Sequence, residues 1–385
     1  MKIWSPHLYI SQGIADGVSP DVLNSAVATA KKLRYLDLPP VFTLKHLSVL
    51  SGVSYSSLRF IVQRRDPSSN YKTFKLKKSN AGFHPDRVRF ISVPEPSLLI
   101  VQKWIHEHIL KKIPHSKSTM AFHADGGILK AAIPHCGNNW MIKIDIKNYF
   151  ESISEVKVYD AFVQAGYQPL ISFEMARLCT RVRNKSNPIK MYRHDDTLGT
   201  QLPYTTVEIG HLPQGAPTSP LLSNICTKKL DASFFEFSIA HGINYTRYAD
   251  DIIFSSRSFF SRDICVSLIK EIKYILNKNG FWPNEAKTKI VTPGARKIVL
   301  GLLVDGPVPK LTSEYKKEIL MHLHFASRKD IGIISHCNRR GFKSVTGFLN
   351  YLEGKISFAS SIEPLWARKV NATFVYIKNK YNNTI

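Results

Sequence analysis

The stretch Tyr248-Ala249-Asp250-Asp251 decides how this chain is read. It lies between two short apolar runs, Ile243–Tyr245 and Ile252–Phe254, as the turn of a tight hairpin would. Two adjacent carboxylates at a turn repel each other unless a cation stands between them. Taken alone, Asp residues in a turn are ordinary solvated chemistry; their meaning comes from what precedes them. Asn139–Ile144 is apolar and β-rich and ends at Asp145, so a strand delivers a third carboxylate from elsewhere in the chain. Hard oxygen donors of this kind suit two Mg²⁺ ions roughly 3.5–4 Å apart, poised for phosphoryl transfer.

Composition supports a nucleic-acid partner. The 385 residues carry 53 Lys and Arg against 29 Asp and Glu, a formal net charge of +24. Such an excess points to a polyanion. The excess is uneven: residues 31–80 hold 11 basic and 2 acidic side chains, and residues 310–385 hold 13 and 5. Basic ends therefore flank the acidic centre. No apolar run approaches the ~20 residues of a membrane span, and the start Met1-Lys2-Ile3-Trp4 lacks a signal-peptide core. Five scattered cysteines, with no Cys-x-x-Cys pair, fit a reducing cytoplasm rather than disulfides or structural zinc.

Hydrophobic periodicity places helices over 22–36, 43–50, 54–63, 97–110, 154–165, 219–236, 261–279, 312–327 and 343–357. Strands are expected over Tyr71–Lys78, whose basic and apolar residues alternate, and over Val88–Val93, Asn139–Ile144, Lys287–Thr292 and Lys297–Leu303, the last forming a further hairpin with Val308–Leu311. Residues 181–205 read as an insertion or extended loop. His106-x-His108 and His322-x-His324 look like metal pairs, but on helices i and i+2 face apart.

Three motifs in order carry a family resemblance: Asp145-Ile146-Lys147-Asn148-Tyr149-Phe150, then His211-Leu212-Pro213-Gln214-Gly215-Ala216-Pro217-Thr218-Ser219-Pro220, then Tyr248-Ala249-Asp250-Asp251. Together they resemble the palm motifs of reverse transcriptases, over about residues 70 to 310. The resemblance implies an α+β right-hand polymerase fold. Its expected regions are a helical N-terminus (1–70), fingers and palm (71–310), and a basic helical thumb (311–385) that binds RNA.

Carried over residue by residue, Asp145, Ile146, Asp250 and Asp251 stand as ligands of two Mg²⁺ ions. Phe150 stands as the gate against a ribonucleotide 2′-OH. Gln214 and Gly215 form the turn around the nascent pair, and Arg89 covers the incoming dNTP. Lys75, Lys77 or Lys78 pairs with the triphosphate. Lys287 is the acid for departing pyrophosphate. The size and the N-terminal layout resemble bacterial retron enzymes. Two elements depart from the retron pattern: Ala131-Ala132-Ile133-Pro134-His135 has Ala131 where that pattern has Asn, and Val299-Leu300-Gly301 replaces Val-Thr-Gly.

The resemblance implies as partners a cognate structured noncoding RNA of msr-msd type, its DNA product, dNTPs, a host RNase H and an effector protein. The role is then antiphage defence, in the cytoplasm. His135, Lys316, Arg339, Arg340 and Lys343 are the expected nucleic-acid contacts, with His135 readable equally as a core histidine because its motif departs from the retron pattern. Another bacterial reverse-transcriptase class, or a scaffold that restrains an effector, stays open at this point.

Overall fold

The computed structural model describes residues 5–66, 69–77, 88–182, 209–258 and 260–382. The expected loop at 181–205 lies almost wholly outside them. Four N-terminal helices, α1 (Pro6–Ala15), α2 (Pro20–Tyr35), α3 (Leu44–Ser51) and α4 (Tyr55–Gln63), lead into the hairpin of β1 (Tyr71–Lys77) and β2 (Val88–Pro94). Next come α5 (Pro96–His108), α6 (Ile128–Ala132), β3 (Trp140–Asp145), α7 (Glu155–Gln164) and α8 (Pro169–Cys179). After α9 (Ser219–Cys226) and α10 (Lys228–Ala240) stand β4 (Asn244–Tyr248) and β5 (Asp251–Ser256), then α11 (Arg262–Lys278) and β6 (Lys289–Val291). The chain closes with β7 (Ile298–Val299), β8 (Leu302–Leu303), β9 (Lys310–Leu311), α12 (Ser313–Ser327), α13 (Gly332–Arg339), α14 (Val345–Ile362) and α15 (Pro364–Asn382).

Local chemistry sets many of these ends. Thr43, Ser54, Ser154, Ser261, Thr312 and Ser344 each accept a backbone N–H with their hydroxyl at a helix start. Gly52 closes α3 in the left-handed conformation.

The central sheet is antiparallel in the order β4-β5-β3-β6. Its register sets Asp145 opposite Asp251 and Ile142 opposite Phe254. Helices α2 to α5 and α7 to α11 bury Leu33, Leu47, Leu58, Val101, Phe162, Met175, Leu222, Phe234 and Leu276 in one core with this sheet. A second core, built on Ile319, Phe348, Leu352 and Phe374, lies among α12 to α15. The seam between them includes Met141, Ile253, Val299, Leu311 and Ala359.

Two expected elements need correction. The helix at 219–236 is two helices, broken at Thr227. There Thr227 leaves the helical backbone (φ −97°, ψ 10°), and its hydroxyl donates back to the Ser223 carbonyl at 2.7 Å. The strand at 297–303 is a hairpin, because Leu300 and Gly301 both take positive φ (48° and 86°) and reverse the chain. Strand β9 then adds to it, making a three-stranded meander. Helix α8 escapes a periodicity reading because it is buried nearly all round, Glu174 and Ser172 included.

Candidate active site

Asp145 ends β3, while Ala249 and Asp250 form the two-residue turn between Tyr248 and Asp251, which pair across the hairpin. Ala249 holds φ 55°, an unfavourable state for a residue with a Cβ, so the turn is strained at its first position. The Ile146 N–H donates to the Asp250 carbonyl at 2.9 Å, which folds the turn over the end of β3. Ile146 has no side-chain donor, so only its carbonyl oxygen could serve a cation.

The three acids burden one another. Burial and then the Asp145 charge push the Asp250 carboxyl above the usual range, against the nearby charges of Lys287 and Arg89. Lost hydration, then Asp250 and Asp145, push Asp251 up to about 6, although the residue as a whole stays exposed. Among the described residues no three acid, His or Cys side chains close into a cage for an ion. Asp145 instead receives Asn284 Nδ2 on Oδ1 at 2.9 Å and Lys287 Nζ on Oδ2 at 2.5 Å. A lysine ammonium thus stands against the carboxylate where a metal ion would bind. The donor set, hard oxygens with a surplus of negative charge, fits Mg²⁺.

Directly behind the turn lies a buried network. Arg247 has no solvent exposure, and all five of its N–H donors are used. Nε and Nη2 grip Asp231 Oδ1 and Oδ2, each at 2.7 Å. Nη2 also reaches Thr227 Oγ1 at 2.8 Å, and Nη1 reaches Tyr149 Oη at 2.7 Å and the Ala249 carbonyl at 3.0 Å. One guanidinium therefore ties the strained turn to Tyr149 and to the break between α9 and α10.

A second network holds Gln214 and Gly215. Glu155, fully buried, accepts Arg64, Arg177, Thr180 and the Gly210 N–H. A Cβ at Gly210 would lie 2.5 Å from Arg64 Nη2 and 2.6 Å from Glu155 Oε2, so a side chain there would have to displace this ion pair. The Gln214 carbonyl accepts the Ser92 N–H of β2 at 2.7 Å. Gly215, at φ 114°, meets β2 so closely that a Cβ would sit 2.8 Å from Ile91 Cγ2. Arg181 crosses the same junction, donating to Ser92 Oγ and, at 3.3 Å, to Thr73 Oγ1. The β1–β2 hairpin, with Arg89 exposed upon it, is thereby hinged to the Gln214 turn.

The other candidate residues divide. Phe150 is half-buried beside Tyr149, with ring centroids 5.5 Å apart. The Lys75 ammonium lies 6.0 Å from the Phe90 ring. Lys77 ends β1 opposite Val88, but its side chain, like Lys78, lies outside the described residues. Arg339, Arg340 and Lys343 are exposed. Lys316 is engaged internally, with Glu363 at 2.5 Å and over the Trp366 ring.

His135 is corrected from a nucleic-acid contact to a core residue. It has no solvent exposure, and its two ring nitrogens meet Ser255 Oγ at 2.6 Å and Thr246 Oγ1 at 2.7 Å. Burial pulls it down to about 3, so it stays neutral. Asn284, Arg247, Glu155 and Arg181 carry no local sequence signal, because each has a side-chain partner 16 to 139 residues away.

Comparison with known proteins agrees with this geometry. The family described as reverse transcriptase (RNA-dependent DNA polymerase) matches residues 76–317. The chain is 27% identical to the retron Ec86 reverse transcriptase of Escherichia coli, over 91% of this chain and 94% of that one. It is 25% identical to the retron Mx65 reverse transcriptase of Myxococcus xanthus, covering 89% and 73%. It is 28% identical to the retron Ec73 reverse transcriptase of E. coli, covering 81% and 90%. With its acids at the ends of the two central strands of an antiparallel sheet packed by helices, the fold is the α+β polymerase fold, and the chain, similar to retron enzymes of bacteria, belongs to the reverse transcriptase family.

Proposed function

We propose that this reverse transcriptase copies part of its own structured noncoding RNA. It primes from the 2′-OH of one guanosine in that RNA and leaves a branched, RNA-linked single-stranded DNA (msDNA). The observation that carries the reading is the gathering of Asp145, Asp250 and Asp251 at the ends of the two central strands, with the Lys287 ammonium and the Asn284 amide set against Asp145. Asp145, Asp250, Asp251 and the Ile146 carbonyl would hold two Mg²⁺ ions. When bound, these would activate the attacking hydroxyl and stabilise the leaving pyrophosphate.

The protein's own groups do the rest. Arg89, close enough to bias Asp250, covers the triphosphate from the β1–β2 hairpin, with Lys77 beside it. Gln214 and Gly215 present backbone to the nascent pair. Phe150 excludes a 2′-OH by contact. Lys287, released from Asp145, offers its ammonium proton to pyrophosphate.

The exposed Arg339, Arg340 and Lys343, with Lys316, belong to a thumb region (311–385) that grips the RNA by phosphate and 2′-OH contacts. Residues 1–70 and 71–310 form the N-terminal region and the fingers and palm. The net charge of +24 supports an RNA partner. Template removal by a host RNase H, restraint of an effector protein, antiphage defence and a cytoplasmic setting complete the reading. Among the described residues no helix is long and apolar enough to cross a membrane.

The test is the nucleic acid that copurifies with the chain expressed from its native locus, treated with RNase, DNase and a 2′,5′-debranching enzyme. A DNA species that shifts on debranching, and is absent from an Asp250→Asn, Asp251→Asn variant, is expected. Unbranched DNA would move the chain to another reverse-transcriptase class, and RNA alone would overturn the polymerase reading in favour of a scaffold.

A further inference from the structure

Phe122 belongs to none of the motifs above, yet its ring meets two of them. It lies on the loop between α5 and α6. Its centroid is 6.2 Å from that of Phe150 and 6.4 Å from that of Tyr248. It is 37% exposed and takes no place in the main core. Its φ is 68°, a rare backbone state for an aromatic residue.

The loop is pinned on both sides of that strained residue. Met120 N–H donates to the Arg247 carbonyl at 2.8 Å, and Arg247 N–H to the Ser118 carbonyl at 3.0 Å. Gly127 N–H donates to the Met120 carbonyl at 2.7 Å. The buried Asn224 of α9 donates to the Ala121 carbonyl at 2.7 Å and accepts the Thr119 hydroxyl at 2.9 Å. An unfavourable conformation persists only where its surroundings over-determine it, and such places cluster at functional sites.

We infer that Phe122 is a positioning residue for sugar selection: its ring braces Phe150 and fixes the angle at which Phe150 meets the incoming nucleotide's sugar. The inference rests on the reading of Phe150 as the gate against the 2′-OH. A half-buried ring that can change rotamer swings away from a 2′-OH; a ring held from the side by a second aromatic excludes it.

The strained φ supplies a clean variant. Glycine adopts a φ of 68° at no steric cost, so Phe122→Gly removes the ring while the loop keeps its path. The experiment measures single-nucleotide incorporation of dNTP against rNTP by the full chain, on an RNA template with a DNA primer. Phe150→Ala and Phe122→Tyr run alongside, with thermal melts of each. Phe122→Gly should lower discrimination roughly 2- to 10-fold, the scale of one aromatic pair, with an unchanged melting temperature and the loss confined to KM for rNTP. Phe122→Tyr should restore it.

If Phe150→Ala loses discrimination and Phe122→Gly does not, the bracing role is overturned while the gate stands. If Phe150→Ala discriminates normally, the gate reading falls and the inference with it. A lowered melting temperature with discrimination intact makes Phe122 a structural residue only and also overturns the proposal.

Discussion

Two sets of charge meet at the β4–β5 hairpin and are treated in opposite ways. Arg247 and Asp231 are wholly buried and wholly paired. Asp250 and Asp251, on the same hairpin, are crowded by like charge and shifted upward. The first set has its counter-charges inside the chain. The second requires them from outside. A buried ion pair serves the fold only when every donor and acceptor is met; a cation site works only when its acids are left unmet. The hairpin joins both, so the strained Ala249 turn can present uncompensated acids because Arg247 holds its carbonyl from behind.

The largest effect expected from breaking this contrast is on the open side. Asp250→Asn with Asp251→Asn should lower DNA synthesis about a thousandfold or more. The metal-free chain should melt no lower, since two repelling charges are gone. Primer extension and thermal melts check both, and a large loss of stability would mean that these acids are structural.

On the closed side, Arg247→Met alone leaves Asp231 buried and unpaired, and should cost about 3–5 kcal/mol in denaturant titration. Adding Asp231→Leu should recover most of that stability. Activity should stay low in the double variant, because Ala249 has lost its anchor. Recovery of activity together with stability would show that the pair only fills space.

A smaller effect concerns a third arrangement, in which His322 Nδ1 and His336 Nε2 share one proton at 2.9 Å in the C-terminal core. Burial, then the charges of His336 and Arg340, hold His322 down to about 4, with Glu318 opposing and Lys355 adding. Burial, then Arg340 and Arg339, also lowers His336. Both groups titrate near 6.5 when unfolded. Their contribution to stability is therefore complete above that pH and declines as pH falls toward about 4. The melting temperature should fall roughly 2–4 °C between pH 7.5 and 5. His322→Leu with His336→Leu should flatten that slope, and an equal slope in the variant would place the sensitivity elsewhere.

The smallest effect belongs to Lys287, half exposed on Asp145. Lys287→Met should change stability by less than about 1 kcal/mol. If its ammonium competes with the metal for Asp145, half-saturation of DNA synthesis by Mg²⁺ should need a few-fold less of the ion. An unchanged titration would remove that competition from the account.

What was legible in the sequence was local. Alternation and turn chemistry marked β1, β2, β3 and the β4–β5 hairpin; hydrophobic periodicity marked α3, α4, α7 and α11. Adjacent acids after apolar runs marked Asp145, Asp250 and Asp251 as a candidate cation site. The Thr227 break was not legible, because a hydroxyl that bonds back within its helix leaves no mark in the apolar pattern. The burial of His135 was legible only as one of two readings. A histidine's role depends on whether water or two hydroxyls face its nitrogens, and Thr246 and Ser255 lie 111 and 120 residues away.

The sequence by itself determined the chemistry available: three acids at strand ends, a basic surplus, and a motif set that names the family. Only the tertiary structure decided which charges are satisfied. It seated Arg247 on five acceptors, set Lys287 against Asp145, closed β2 onto Gly215 and laid Phe122 beside Phe150. The physical reason is that residue types and short-range periodicity are properties of neighbours in sequence. Desolvation, ion pairing and ring contact depend on neighbours in space, which long-range packing supplies.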